Sequence, residues 1–282
     1  MAVQIFQAQS NNANVDNFRT WGKGLSDALT AVGVLRTADT GQITDWTTLA
    51  LPAASSYTGY EIRVLSTPAG FPVYMKIEYG AQSAATSMAI RIQLGSGTNG
   101  AGTLTGSLSS IFTLTPSSGS TTFPCYVSGD SSRVSFLMFV GTSGGSVHFS
   151  VGRRKDATGN DTDLGVNIVA GYNSGIQQQC LPKPTLGSAY PASPMNAVQC
   201  LCPPSGTASY SGDTGIFPVF VNLGAPENPD MGACIFCSGD FASASLVEVA
   251  MYGKTFRFIT GGGNLNPTTN GNSLARVAMR YE

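Results

Sequence analysis

The chain has 282 residues, of which 42% are hydrophobic and only 11% are charged, and its formal net charge is -1 at pH 7. The hydrophobic content excludes a natively unfolded chain, and a net charge near zero excludes a global field that would attract a phosphate backbone or an anionic membrane. The length accommodates one large or two ordinary all-β domains. Neither nucleic acid nor a membrane is an expected partner.

The N-terminal sequence MAVQIFQAQSNN has neither the basic segment nor the apolar core of a secretory signal. No later run approaches the roughly 18 consecutive apolar residues of a membrane-spanning helix. We therefore expect the protein to stay in the cytosol where it is made, with its six cysteines reduced. Disulfide bonds are not expected.

An amphipathic helix is predicted over residues 14 to 33, NVDNFRTWGKGLSDALTAVG. Asn14 is the predicted N-cap, and Gly33 is the predicted left-handed residue after the last turn. At about 100° per residue, one stripe of the helix is apolar and the opposite side is polar. The stripe contains the candidate assembly residues Val15, Phe18, Trp21, Leu25, Leu29 and Val32. The polar side contains Asp16, Arg19, Lys23, Ser26, Asp27 and Thr30.

This helix has two alternative roles. Gly22 and Gly24 each cost up to about 1 kcal/mol relative to alanine inside a helix, so the helix needs packing partners for its stability. It either covers the open face or end of its own β-domain, or it docks onto a neighbouring subunit. As a hypothesis, the helix and the arm before it form an attachment module.

Beyond residue 50 the hydrophobic period changes from helical to two, which predicts β-strands. The predicted hairpin strands are 59–66 with 71–80, continued by 87–97; then 133–141 with 146–154; and finally LVEVAMY with TFRFIT, around a turn at Gly253 and Lys254. Short strands between turn signals predict a mainly β fold, an antiparallel sandwich or a jelly-roll-like structure with one N-terminal amphipathic helix.

Three regions are predicted along the chain. Residues 1–50 form the N-terminal arm and helix, residues 51–155 a first β-domain, and residues 156–282 a second β region that is either separate or part of the same domain. The second region contains a Pro-rich segment over residues 181–215. Structureless segments of that length are usually either functional or spread over a neighbouring subunit, and we favour the second alternative for this one.

Two clusters have metal-ligating residue types. Cys200, Cys202, Cys234 and Cys237 could supply four thiolates to a structural zinc ion, with 31 residues between the pairs. Buried thiols that act as small hydrophobic side chains are the favoured interpretation, so no cofactor is expected. The second cluster, Asp156, Asp161 and Asp163, is interpreted as a solvated turn, with a calcium site as the alternative.

The search for catalytic groups is negative. His148 is the single histidine, and its strand pattern places it on a polar face, as a surface or hydrogen-bonded residue. No GxSxG nucleophile motif accompanies it. The GKT sequence at 253–255 is not a phosphate loop, because Glu248 stands where that motif needs glycine. Arg153, Arg154 and Lys155 are too few for a nucleic-acid patch. We therefore expect no enzymatic activity.

The opening MAVQIFQAQSNNANVDNFRTWGKGLSDALTAVGVLRTADTGQI, followed by VYMKIEYG and GSGTNGAGTLTG, resembles poorly characterised virion structural proteins of tailed bacteriophages and their prophages. The resemblance covers roughly the first third of the chain. It implies a non-enzymatic protein that is made in the host bacterial cytoplasm and built into the virion, in the tail or neck. Its implied partners are other virion proteins, and no catalytic residue is carried over.

The expected function is a structural virion component that assembles as a symmetric homo-oligomer with copies of itself. A capsid decoration protein is one alternative. A second is a receptor- or glycan-binding tail fibre or spike component, which would expose Tyr57, Tyr60, Tyr190 and Tyr210 from its loops. A third is a hydrolase that uses His148 as its base.

Overall fold

The computed structural model describes residues 2–106, 108–116, 119–140, 145–155, 161–172, 175–182, 216–220, 230–237, 246–251, 254–260 and 276–280. Within these ranges every strand pair is antiparallel, and one α-helix, α1 (Val15–Ala31), precedes nearly all of the strands. The predicted mainly β, antiparallel fold with one N-terminal helix is confirmed.

The strands are numbered in chain order. They are β1 (Ala2–Ala8), β2 (Leu35–Arg36), β3 (Tyr57–Leu65), β4 (Val73–Ala81), β5 (Met88–Gly95), β6 (Gly97–Thr98), β7 (Leu104–Thr105), β8 (Phe112–Leu114), β9 (Phe123–Asp130), β10 (Arg133–Val140), β11 (Gly145–Lys155), β12 (Asp161–Tyr172), β13 (Gly175–Pro182), β14 (Ile216–Phe220), β15 (Asp230–Cys237), β16 (Leu246–Met251), β17 (Lys254–Thr260) and β18 (Arg276–Arg280). A 3-10 turn spans Trp46–Thr48.

Three sheets form from these strands. The six-stranded sheet has the order β1-β9-β10-β11-β12-β13. The N-terminal five-stranded sheet has the order β2-β3-β4-β5-β8, and the C-terminal five-stranded sheet has the order β14-β15-β18-β17-β16. Strands β6 and β7 form a small separate pair. Long runs of consecutive strands stay in one sheet, which is the order of a sandwich built from meanders.

Both ends of α1 have the predicted caps. The Asn14 side chain accepts a hydrogen bond of 2.8 Å from the Asn17 backbone N–H. At the other end Gly33 has a φ of +88°, and its N–H donates to the Thr30 carbonyl at 3.1 Å. The Val34 N–H donates to the Leu29 carbonyl at 2.9 Å, which completes a Schellman motif.

The core lies between the six-stranded sheet and the N-terminal five-stranded sheet, with α1 packed into it. Strand β4 contributes alternate residues to this core: Val73, Met75, Ile77 and Tyr79 are at most 1% exposed. The next strand, β5, does the same with Met88, Ile90, Ile92 and Leu94. The hairpins predicted from the period-two pattern are confirmed in these strands and in the β10–β11 pair.

The other face of the six-stranded sheet is also buried. Leu137 and His148 are direct cross-strand neighbours on that face and are at most 1% exposed. Strand β15 of the C-terminal five-stranded sheet contacts β10 and β11. The central strands of the six-stranded sheet are therefore covered on both sides.

The predicted boundary at residue 50 does not separate two structural units. Strand β1 pairs with β9 in one sheet, and β2 pairs with β3 in another, so residues 1–50 contribute to both sheets. The pairing of β11 with β12 likewise continues across the predicted boundary at residue 155. In the last hairpin Lys254 pairs with Met251, so the turn lies one residue earlier than predicted.

Candidate assembly surface

The apolar stripe of α1 is buried in the core of its own chain. Phe18, Leu25 and Leu29 are fully buried, and Trp21 and Val32 are at most 2% exposed. Val15, at the first turn, is half-buried. The helix thus covers its own β-domain, and the five buried side chains of the predicted assembly stripe are not available to a partner while the chain is folded.

Aromatic rings hold this stripe against the N-terminal five-stranded sheet. The Trp21 ring lies 5.6 Å from the Phe18 ring and 5.7 Å from the Tyr79 ring, measured between centroids. Trp46 meets Tyr79 edge-to-face at 4.8 Å. The Trp21 indole N–H donates to the buried Asn12 side-chain oxygen at 2.9 Å. Aromatic contacts and one satisfied polar group therefore fix how the helix sits on the sheet.

The two glycines inside α1 allow close approach of other rings. A Cβ atom at Gly22 would overlap the six-membered ring of Trp46, and one at Gly24 would overlap the ring of Phe6. Trp46 is only 6% exposed, so it has little room to move. The glycines that weaken the isolated helix are the positions where the helix meets Trp46 and β1.

Gly22→Ala is expected to destabilise the protein by about 1–3 kcal/mol, because the added methyl group displaces the Trp46 ring. The same change at an open helical site would stabilise by up to about 1 kcal/mol, so the sign of the effect tests the contact. Chemical denaturation gives the free energy of unfolding. Gly24→Ala is the matched control. We expect it to lower the free energy of unfolding by less than Gly22→Ala, since Phe6 is partly exposed and can shift. A stabilised Gly22→Ala variant would contradict the contact.

A buried ion network fixes the polar side of α1 to β3. Glu61 and Arg63 are both fully buried, and Arg36 pairs with Glu61 at 2.8 Å. The Arg63 guanidinium donates to Glu61 at 2.8 Å, to the Ser26 carbonyl at 2.8 Å and to the Val34 carbonyl at 3.1 Å. The Arg63 guanidinium therefore has several hydrogen-bond acceptors besides its ion-pair partner, as a buried ion pair requires.

Arg153 connects two sheets and does not form a surface patch. It is 1% exposed, and its guanidinium donates to the carbonyls of Thr67 at 2.9 Å and Leu65 at 3.0 Å. The same group lies 5.2 Å from the centroid of the Phe71 ring. Arg153 thus anchors the β3–β4 connection to β11.

His148 is buried, so of its two predicted settings, surface or hydrogen-bonded, the surface setting is wrong. It is 1% exposed on the face of the six-stranded sheet that contacts β15. Desolvation by burial lowers the pKa of its imidazole to about 4. The side chain is neutral at pH 7 and closed off from solvent, which does not suit a base that must reach a substrate.

This burial predicts a pH effect. The unfolded imidazole binds a proton below its ordinary pKa of 6.5, whereas the folded one does so only below about 4. As the pH falls from 6.5 to 4, the unfolded state therefore gains protons first, and stability is lost by up to about 1.4 kcal/mol per pH unit. Urea unfolding across this window checks the slope. His148→Gln should lack this component; parallel curves for the two proteins would contradict the assignment.

The two edges of the six-stranded sheet are long and uncharged. Strand β1 (AVQIFQA) has seven residues, β13 (GIQQQCLP) has eight, and neither contains Asp, Glu, Lys or Arg. The other edges are protected from pairing: β2 and β8 have two and three residues, β14 contains Pro218, and β16 contains an exposed Glu248 in an ion pair. Natural sheets use short strands, proline and charge in this way to block edge-to-edge association.

Strand β1 is anchored along one edge, and no other described strand pairs with its second edge. Phe6 packs against α1, and Ala8 is 2% exposed. Ile5, at the centre of the strand, is 52% exposed, and Gln4 and Gln7 are also exposed. Among the described strands β1 pairs with β9 alone. An anchored strand with an exposed apolar centre and an open edge is a candidate assembly surface.

Tyr57 and Tyr60 are half-buried in β3, on the polar face of the N-terminal five-stranded sheet, so their predicted exposure from loops is wrong. The Arg91 guanidinium lies 4.0 Å from the Tyr57 ring centroid, and Lys76 Nζ lies 4.5 Å from the Tyr60 ring centroid. Lys76 also pairs with Glu78 at 3.3 Å. Desolvation raises the pKa of Tyr57. In each cation–π contact the charged group lies over one face of the tyrosine ring. Together with the Lys76–Glu78 ion pair, these contacts form a row of aromatic and charged side chains on the sheet.

The side chains of the predicted metal ligands are not among those that the structure describes. Cys200, Cys202 and Asp156 are outside the described residues. Cys234 and Cys237 lie in β15, and Asp161 and Asp163 lie in β12, but their side chains are outside the description as well. Within the described part of the chain, no group of three or more His, Cys, Asp or Glu residues could hold a metal ion. The zinc and calcium hypotheses remain predictions.

No protein-family model matches this chain, and no curated protein matches it in sequence. Among the described residues, no helix has the length and apolar character needed to cross a membrane.

Proposed function

We propose that this protein is a non-enzymatic structural component that assembles with copies of itself into a symmetric oligomer. The observation that carries the proposal is the contrast between sheet edges: β1 and β13 are long and uncharged, while the edges of the other two sheets are short, proline-containing or charged. Open edges of this kind favour strand pairing between subunits.

The charge distribution supports the same proposal. Like charges that face each other across a strand pair are destabilising. Neither β1 nor β13 contains a charged residue, so this repulsion would not arise if they paired between subunits. With 11% charged residues and a net charge of -1, copies of the chain repel one another weakly. Closed point-group symmetry is the usual way in which identical subunits use such surfaces without forming open filaments.

The setting that we propose is the virion of a tailed bacteriophage, with assembly in the host cytoplasm and the tail or neck as the place in the particle. The support for this setting is the resemblance of the first third of the chain to virion structural proteins. Proteomics of gradient-purified phage particles from a strain that encodes the chain tests it. A stoichiometric presence in the particle supports the setting, and absence from every particle fraction contradicts it.

Sedimentation velocity of the full chain tests self-assembly. We expect an oligomer at micromolar concentration, and we expect Ile5→Lys and Gln178→Lys, which place a charge in β1 and β13, to shift it toward smaller species. Thr44→Lys is the matched control, because Thr44 is exposed in a loop and lies in neither strand. A wild-type chain that stays monomeric, or three variants that behave alike, would contradict the proposal.

A second candidate function is binding of a host receptor or glycan. The Tyr57–Arg91 and Tyr60–Lys76 contacts favour it, because aromatic rings beside charged groups are common in recognition surfaces. Tyr190 and Tyr210, also predicted for this role, lie outside the described residues. Loss of host adsorption in Tyr57→Ala and Tyr60→Ala, with the oligomer intact, would support this function; unchanged adsorption would argue against it.

A further inference from the structure

We infer that two copies of the chain join through β1, strand against strand, around a two-fold axis at Ile5. The inference rests on the proposed self-assembly and names its interface and register. Strand β1 has seven residues, Ala2–Ala8, and Ile5 is its central residue, with three residues on each side. An antiparallel two-fold pairing of β1 with itself therefore uses the whole strand.

The two-fold axis at Ile5 sets the register of the two β1 strands, and it places uncharged residues opposite each other. Ile5 lies across from Ile5 of the second copy, Gln4 across from Phe6, Val3 across from Gln7, and Ala2 across from Ala8. Every pair is free of charge, so no like charges meet. Pairing along the edge gives partners to backbone N–H and C=O groups on both copies and buries Ile5, which is 52% exposed in the single chain.

The interface also has a rigid support. Phe6 contacts α1 at Gly24, and β1 pairs with β9 along its full length, from Ala2 with Gly129 to Ala8 with Phe123. The outward edge is therefore held in extended geometry before a second copy binds, which lowers the conformational entropy lost on association. Two six-stranded sheets would then continue into each other across the axis.

Disulfide trapping tests the register. Residues directly opposite each other in an antiparallel pair have Cα atoms about 4.5 or 5.5 Å apart, and both distances allow a disulfide bond. Ile5→Cys should therefore form a covalent dimer under mild oxidation. Val3→Cys and Gln7→Cys, each alone, should form none, because their like positions are offset by four residues, about 13 Å. An equal mixture of these two variants should form a mixed dimer, since Val3 faces Gln7 of the second copy.

The unmodified chain is the control for its six natural cysteines, and matched melting curves show that each variant is folded. If the wild-type chain is monomeric at all concentrations, both the inference and the proposed self-assembly are wrong. If it is oligomeric but Ile5→Cys forms no covalent dimer, or Gln7→Cys alone forms one equally well, the two-fold register is overturned and self-assembly stands. A specific link between Ile5→Cys and Gln178→Cys chains would replace the two-fold pair with a β1–β13 contact.

Discussion

Replacing Arg63 with alanine is expected to lower the free energy of unfolding by about 3–5 kcal/mol. The change leaves the fully buried Glu61 carboxylate with Arg36 as its remaining ion-pair partner. It also removes the donors to the Ser26 and Val34 carbonyls at the end of α1. Because burying a carboxylate with too few partners is costly, most of the loss comes from Glu61 rather than from packing.

Urea denaturation measures this loss, and two variants control for it. Lys23→Ala breaks the exposed ion pair with Asp27, which should change stability by only about 0.3–0.5 kcal/mol. The double variant Glu61→Leu with Arg63→Met removes both charges and should be less destabilised than Arg63→Ala alone. If Arg63→Ala lost no more stability than Lys23→Ala, the buried network would not be what fixes α1 to β3.

Trp21→Ala is expected to cost about 3–5 kcal/mol, because it removes a ring that is 1% exposed and leaves a cavity between α1 and the sheet. This is a large share of the roughly 5–15 kcal/mol that stabilises a typical domain. Trp21→Phe keeps an aromatic ring but removes the N–H that donates to Asn12, at a cost of about 1–3 kcal/mol.

Leu35→Ala is the matched control for an apolar side chain, since Leu35 is 56% exposed. We expect it to change the free energy of unfolding by at most about 0.5 kcal/mol. Thermal or chemical unfolding checks the packing of the helix. We expect the loss of stability to be largest for Trp21→Ala, intermediate for Trp21→Phe and smallest for Leu35→Ala. Similar values for Trp21→Ala and Leu35→Ala would mean that the apolar stripe of α1 is not part of the core.

Local patterns predicted the helix and the best strands. The caps of α1 depend on Asn14 and Gly33, which lie next to the turns that they close, and the burial of β4 and β5 follows from period-two alternation. What the pattern could not settle was the surface against which α1 packs. Periodicity shows that one side of a helix is buried, and the partner surface depends on contacts far along the chain.

The burial of Ser26 and His148 is not expected from the sequence, because a polar side chain in an alternating pattern indicates exposure. The helical pattern places Ser26 and Thr30 on the polar side of α1; Thr30 is exposed there, whereas Ser26 is only 3% exposed and accepts a hydrogen bond from Arg63. The strand pattern places His148 on a polar face, as a surface or hydrogen-bonded residue, and its burial depends on the contact of β11 with β15, far along the chain. The nearly continuous apolar run of β10, RVSFLMFV, was the available signal that both faces are covered.

The candidate assembly surface could not be predicted from the sequence, because it depends on strand pairing between distant segments of the chain. The N-terminal segment was interpreted as an arm, and its role as an edge strand follows from β9, more than a hundred residues later. Sequence alone shows that AVQIFQA is uncharged, but it does not show which side of the strand stays open. That required the strand order and the exposure of Ile5.

A native mass spectrum of the full chain at micromolar concentration, recorded before and after treatment with a chelator, tests the central claim most directly. We expect a discrete even multiple of the 29.2 kDa subunit, because a two-fold β1 pair is one of the interfaces of the oligomer. A zinc mass lost on chelation would support the alternative that the paired cysteines hold a structural zinc ion, in place of the expected metal-free thiols. A spectrum that contains only the 29.2 kDa monomer would contradict self-assembly through the open edges of the six-stranded sheet.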